Sequence, residues 1–146
     1  MIKKTILTTI TIIWMIIIFL FSNQSASISS NNSHSIIKNT IVRVYKLFNS
    51  NPSEEEISNI IKKYDYPIRK LAHFLEYFIL GLLIFLTLKT YKINNIYIMI
   101  LICFIYACTD EFHQLFIIGR SGNFKDILLD STGSICSILF FNKKRK

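Results

Sequence analysis

Arg69, His73 and Glu76 fall at i, i+4 and i+7, a spacing that places all three on one face of a helix. Asp110, Glu111, His113 and Gln114 crowd around Phe112 in consecutive positions, with Asp110, His113 and Gln114 predicted on one side of their helix. Arg120 sits inside Gly119-Arg120-Ser121-Gly122, and Asp126 and Asp130 follow it one helical turn apart. Imidazole and carboxylate groups supply nitrogen and oxygen ligands that suit zinc or manganese, so His73, Glu76, Asp110 and His113 are the expected ligands if a divalent metal is bound. Glu111 is placed to act as acid or base, with Asp110, His113, His73 and Glu76 completing the candidate catalytic set. Arg120, flanked by Arg69, Gln114, Asp126 and Asp130, suits an anionic substrate group such as a lipid phosphate. His-x-x-Glu is a common spacing, however, and Asp-Glu-x-His-Gln is not the His-Glu-x-x-His signature. A non-catalytic ion-pair network that fixes helix packing, or binds a ligand or partner, is the competing reading.

These residues need elements to carry them. Of the 146 residues, 51% are hydrophobic and 18% are charged, where a soluble domain carries roughly 25% charge. Mean hydropathy is +0.41. Four apolar blocks, 5–21, 71–88, 94–113 and 124–141, alternate with short charged segments, the pattern of a polytopic membrane protein. The expectation is one all-α domain over 1–146: a bundle of about four transmembrane helices with a helical outer loop at 22–70. The first block has the basic start of a secretory signal peptide, but Ser-Asn-Gln-Ser-Ala-Ser is a poor cleavage site, so an uncleaved helix is expected. Cys103, Cys108 and Cys136 lie in apolar blocks without a CxxC spacing and read as small hydrophobes. The net charge of +8 would raise nucleic acid as a partner of a soluble protein; here the basic residues cluster at block ends, and the expected partner is the lipid bilayer.

Charge also orients the bundle. With both termini cytoplasmic, the inner segments hold Lys3, Lys4, Lys89, Lys92, Lys143, Lys144, Arg145 and Lys146 and no acid. Arg69 and Lys70 beside the second span oppose that assignment. If it holds, all the ionisable span ends meet on the outer side. A charge facing lipid costs roughly 2.5–3.5 kcal/mol at mid-helix, so these groups are expected to turn inward. In the outer loop, 22–35 is rich in Ser and Asn and reads as irregular chain. Ile37, Ile41, Val44 and Phe48 then recur at helical spacing beside Lys38, Arg43 and Lys46, an amphipathic helix that either lies on the membrane or packs over the span ends. A further short helix is expected to start at Ser53, where Glu56 completes a capping box. Ser131, Gly133, Ser134 and Ser137 allow another backbone close to the fourth span, from within the bundle or from a second copy in a homo-oligomer.

Four stretches carry a family resemblance: Phe21-Ser22-Asn23-Gln24-Ser25, Arg69-Lys70-Leu71-Ala72-His73-Phe74-Leu75-Glu76-Tyr77, Asp110-Glu111-Phe112-His113-Gln114, and Gly119-Arg120-Ser121-Gly122 through Asp126. In this order they resemble the VanZ-like family of bacterial membrane proteins. The resemblance implies a small multi-span protein of the bacterial cell membrane, in a family some of whose members are tied to low-level resistance to glycopeptide antibiotics, particularly teicoplanin. It lends no reaction to the polar residues. A lipid-linked cell-wall precursor, or the glycopeptide itself, is the partner such a site would take.

Overall fold

A long apolar run cannot leave backbone N–H and C=O groups unpaired in hydrocarbon, so it closes them into helices. The computed structural model, which describes residues 2–48 and 50–144, consists of five helices and no strand among those residues: α1 (Ile2–Ser22), α2 (Ala26–Leu47), α3 (Glu54–Thr90), α4 (Ile96–Gln114) and α5 (Phe124–Lys143). The all-α expectation is met. Helices α1, α3 and α4 are each long and apolar enough to cross a membrane. Helix α5 is comparable in length, 20 residues or about 30 Å at about 1.5 Å per residue, but is more polar.

Two expectations for the 22–70 segment are corrected. The Ser/Asn-rich stretch is helical from Ala26 onward: Ser25 caps it by accepting from the Ile28 N–H, and Ser30 and Ser33 both donate to Asp65 of α3. Weak intrinsic helix propensity is overridden by a tertiary partner. The second correction concerns Ser53. Its capping box forms as predicted, Ser53 N donating to Glu56 Oε2 at 2.8 Å and Glu56 N to Ser53 Oγ at 3.2 Å. The helix it opens, however, does not stop short of the 71–88 block. It runs for 37 residues through Pro67 into that block. Helix α2 braces it on both sides of the proline, through Asp65 and through the packing of Ile37 and Ile41 on Ile57 with Ile61 and Ile68 alongside. At about 1.5 Å per residue α3 is about 55 Å long, against about 30 Å of hydrocarbon, so its first half must project beyond the bilayer. Ile37 and Ile41 are thus packing residues, whereas Val44 and Phe48 of the same predicted stripe stay exposed.

The second half of α3 is the centre of the bundle. Tyr77, Leu80 and Phe85 are fully buried with Met99, Cys103 and Ala107 of α4 and Ile138 of α5. Helix α1 runs antiparallel to it: Thr11 and Thr87 share a buried 2.8 Å hydrogen bond, and the Trp14 indole donates to the Glu76 carbonyl at 3.0 Å. Most of the outer face of α1 is exposed isoleucine, as a lipid-facing helix requires. Helix α5 meets α3 backbone to backbone. A Cβ on Gly81 would lie 2.6 Å from the Ser134 carbonyl oxygen, and one on Gly133 would lie 2.4 Å from that of Phe74. The small-residue stripe of α5 is therefore consumed inside the bundle, and a second copy would need another surface.

The basic ends collect at one end of the bundle. Lys4 lies over the Tyr91 ring at 5.2 Å, Lys89 donates to Asn94, and Lys144 lies over Phe140. Arg145 and Lys146 of the predicted basic tail lie outside the described residues. Gly133→Leu is expected to force α3 and α5 apart at a cost of about 1–3 kcal/mol or more, seen as a lower melting temperature of the purified protein in detergent, while Leu101→Ile on an exposed face of α4 leaves it unchanged.

Candidate functional site

Antiparallel connectivity brings the polar segments to the opposite end. The end of α1 and the turn after it supply Ser22, Asn23 and Gln24; α3 supplies Arg69, Lys70, His73 and Glu76; α4 supplies Asp110, Glu111, His113 and Gln114; and the 115–123 connection with the first turns of α5 supplies Arg120, Asp126 and Asp130. A cavity of about 220 Å³ opens among them, walled by Arg69, Lys70, His73, Gln114, Arg120 and Asp126.

Arg120 is held from beneath. Its Nε donates to the Gln24 carbonyl at 3.1 Å, and its two terminal nitrogens donate to Gln114 Oε1 at 3.2 Å and to the Phe21 carbonyl at 3.4 Å. All three acceptors are neutral, and among the described residues Arg120 forms no ion pair. Burial and then Arg69 work against its charge, while Asp110, Glu111 and Glu76 favour it from farther off. The loop that presents it turns through Gly119, whose φ of 76° suits glycine and whose neighbour Ala26 leaves little room for a side chain.

The other cations are matched. Lys70 donates to Asp126, and Arg69 Nε lies 3.6 Å from Asp65 Oδ2. His73 Nδ1 lies 3.5 Å from Glu76 Oε2, an ion-pair distance rather than a hydrogen bond, and both line the cavity system.

Deeper in the bundle the carboxylates part company. Glu111 is almost fully buried, and its Oε2 accepts from the backbone N–H of Asn123 at 2.9 Å, tying the end of α4 to the start of α5. Asp110 points inward toward Ser22, Tyr77 and Gln114. Asp130 is 1% exposed, and its carboxylate oxygens have no hydrogen-bond partner among the described residues. His113 lies at the edge of the side it shares with Asp110 and Gln114: its Nε2 meets Asn23 Oδ1 at 3.2 Å and its ring lies 4.6 Å from that of Phe19, while Glu111 is buried beside Asp110 and Gln114.

Of the predicted metal quartet, only His73 and Glu76 are paired. Asp110 and His113 face different neighbours, and among the described residues no three His, Cys, Asp or Glu side chains come close enough to hold an ion. The buried arc of α4 takes in Asp110, Glu111 and Gln114, which leaves His113 at its edge, against Asn23 and Phe19. The residues that sequence spacing passed over are Ser22, Asn23, Gln24, Lys70 and Tyr77. The signal for the first three was the polar Ser-Asn-Gln-Ser run that ends the first apolar block, and Lys70 and Tyr77 bound the stretch that carries His73 and Glu76.

A family model described as VanZ/LLP1 matches residues 7–144, and so covers every element of this site. No curated protein and no solved structure matches the chain.

If Glu111 works as a latch, removing its oxygen leaves a backbone donor without a partner, at about 1 kcal/mol or more. Glu111→Ala is expected to lower the melting temperature by several degrees, whereas Glu111→Gln, which keeps an acceptor, stays near the wild type.

Proposed function

The chain belongs to the VanZ/LLP1 family, and on that premise we propose that it is a multi-pass protein of the bacterial cell membrane whose polar basin binds the anionic headgroup of a lipid-linked envelope precursor. Arg120 carries this reading. It is half-buried and preset by three neutral acceptors, it lines the cavity, and no carboxylate neutralises it directly. A guanidinium in that state offers its remaining N–H groups to phosphate oxygens. The bound precursor would be shielded, and resistance to a glycopeptide such as teicoplanin is the cellular outcome proposed for that shielding. In this reading α5 is the fourth span, its polar face turned onto α3 and α4 rather than to lipid.

Catalysis at the bound headgroup is a second reading, favoured by the His73 and Glu76 couple that opens on the same cavities. There His73 would exchange a proton with the substrate while Glu76 orients its ring. No metal enters this proposal, because the four predicted ligands are dispersed.

The orientation proposed has both termini cytoplasmic and the basin outside. It is supported by the run of lysines at the end of the bundle away from the basin.

Arg120→Gln, compared at matched membrane abundance, is expected to weaken retention of a radiolabelled lipid-linked precursor at least tenfold, about 1.4 kcal/mol, and to abolish any protection against teicoplanin. Unchanged retention would refute headgroup binding. Glu76→Gln separates the two readings: precursor profiling of cells should find the same intermediates under shielding, and an accumulated one under catalysis. A cysteine at exposed Asn59, in a variant lacking the native cysteines, is expected to react with an impermeant thiol reagent on intact cells; reaction only after lysis would invert the topology.

A further inference from the structure

The basin continues toward α2. A second cavity, of about 210 Å³, shares Ser29, Arg69, His73 and Arg120 with the first and extends to Ile36 and Ile68. Those two isoleucines are also walls of a third space, an apolar groove of about 310 Å³ between α2 and the projecting half of α3, floored by Ile37, Ile41 and Ile60 and edged by Val44 and Tyr64. The two helices are antiparallel here. Ser33 meets Asp65 close to the basin, and Lys38 Nζ lies 3.8 Å from Glu54 Oε1 toward the other end of the hairpin. From Ile36 to Val44 is eight residue steps, about 12 Å at about 1.5 Å each.

One end of this run is cationic and the other is apolar. Arg120 and Arg69 stand at the cationic end, Arg69 shared with Asp65 on its outer side and Lys70 with Asp126, so that Glu76 is the acid on the cavity wall that a bound anion must share space with. The groove has almost no polar wall, only the Thr40 hydroxyl, which is spent on the Ile36 carbonyl, and the tyrosine hydroxyls at its rim. A free phosphate would use the first end and leave the second wet; a neutral lipid would do the reverse. Only an amphiphile occupies both. A two-chain phospholipid is a poorer fit, since the groove offers only about 310 Å³.

We infer that the basin and the α2–α3 groove form one seat for a single-chain phosphate amphiphile, with the phosphate at Arg120 and Arg69 and the hydrocarbon chain along Ile36, Ile41 and Ile60. This rests on the anion-binding reading of the basin and adds the ligand's class. The chain leaves the basin sideways, into a hairpin that projects past the membrane core, rather than down into the bundle.

The test uses the full chain in phosphatidylcholine nanodiscs and a dodecyl phosphate carrying a photoreactive diazirine at its chain end. Crosslinks are expected within residues 36–45 and 60–68, with unlabelled dodecyl phosphate competing at least tenfold better than inorganic phosphate, and dodecanol not competing. Thr40→Trp, an exposed position that would fill the groove, is expected to cut crosslinking at least fivefold while calorimetric titration with inorganic phosphate is unchanged; Val44→Trp serves if that variant misfolds. Equal competition by inorganic phosphate and dodecyl phosphate, with Thr40→Trp silent, would overturn the groove and leave the basin standing. Competition by dodecanol as strong as by dodecyl phosphate would overturn the pairing of chain with charge. Absence of binding by either phosphate, unaltered by Arg120→Gln, would remove the basin reading as well.

Discussion

The contact between α3 and α5 sets the geometry of everything at the polar end. Gly81 and Gly133 let the two backbones touch, and with no side chain between them the helices hold a single depth and rotation relative to one another. That register puts Lys70 against Asp126 and brings Asp130 into the interior near the α4 carboxylates. It also accounts for the composition of α5. A helix that packs its Ser and Gly face against α3 gains close van der Waals contact and gives up apolar area, and with Lys125, Asp126 and Asp130 in its first two turns α5 is not among the helices apolar enough to cross a membrane by composition alone.

Around that contact, the ionisable groups follow two different rules. Those facing the cavity are in pairs, Lys70 with Asp126 and Arg69 with Asp65, so that each charge is met where solvent is partly excluded. Arg120 breaks the pattern, being gripped by the carbonyl oxygens of Phe21 and Gln24 at the end of α1 and just beyond it, and by the side-chain amide of Gln114. Such acceptors orient a guanidinium without cancelling its charge, which is the condition for receiving an anion from outside. Glu111 belongs to neither group: its Oε2 accepts from the Asn123 N–H at the end of the loop that carries Arg120.

Helices α2 and α3 link the membrane-facing bundle to what lies beyond it. Because α3 is continuous through Pro67, a single helix carries both the projecting hairpin and the His73 and Glu76 side chains. The hairpin carries exposed Leu47, Phe48 and Tyr66 together with Lys38, Arg43, Lys46, Lys62 and Lys63, a composition compatible with contact at a headgroup layer.

Much of this was legible in the amino-acid order alone. Apolar blocks with basic ends imply helices in a bilayer; Ser53 and Glu56 announce a helix start; and Arg69, His73 and Glu76 on one face, with the Gly-Arg-Ser-Gly turn, mark the polar end. These signals are local, depending on hydropathy, capping and helical period. What the residues do to one another was not local. The Ser/Asn-rich stretch became helix because Asp65, more than thirty residues away, supplied its hydroxyls with a partner. Glu111 accepts from the Asn123 N–H and His113 meets Asn23, contacts that no local spacing announces. The sequence by itself determined which groups would be gathered at one end of the bundle, since apolar spans exclude charge from lipid. Only the tertiary structure decided which charges cancel and which one is left open, because pairing depends on helix rotation, and rotation is set by where two glycines let backbones meet.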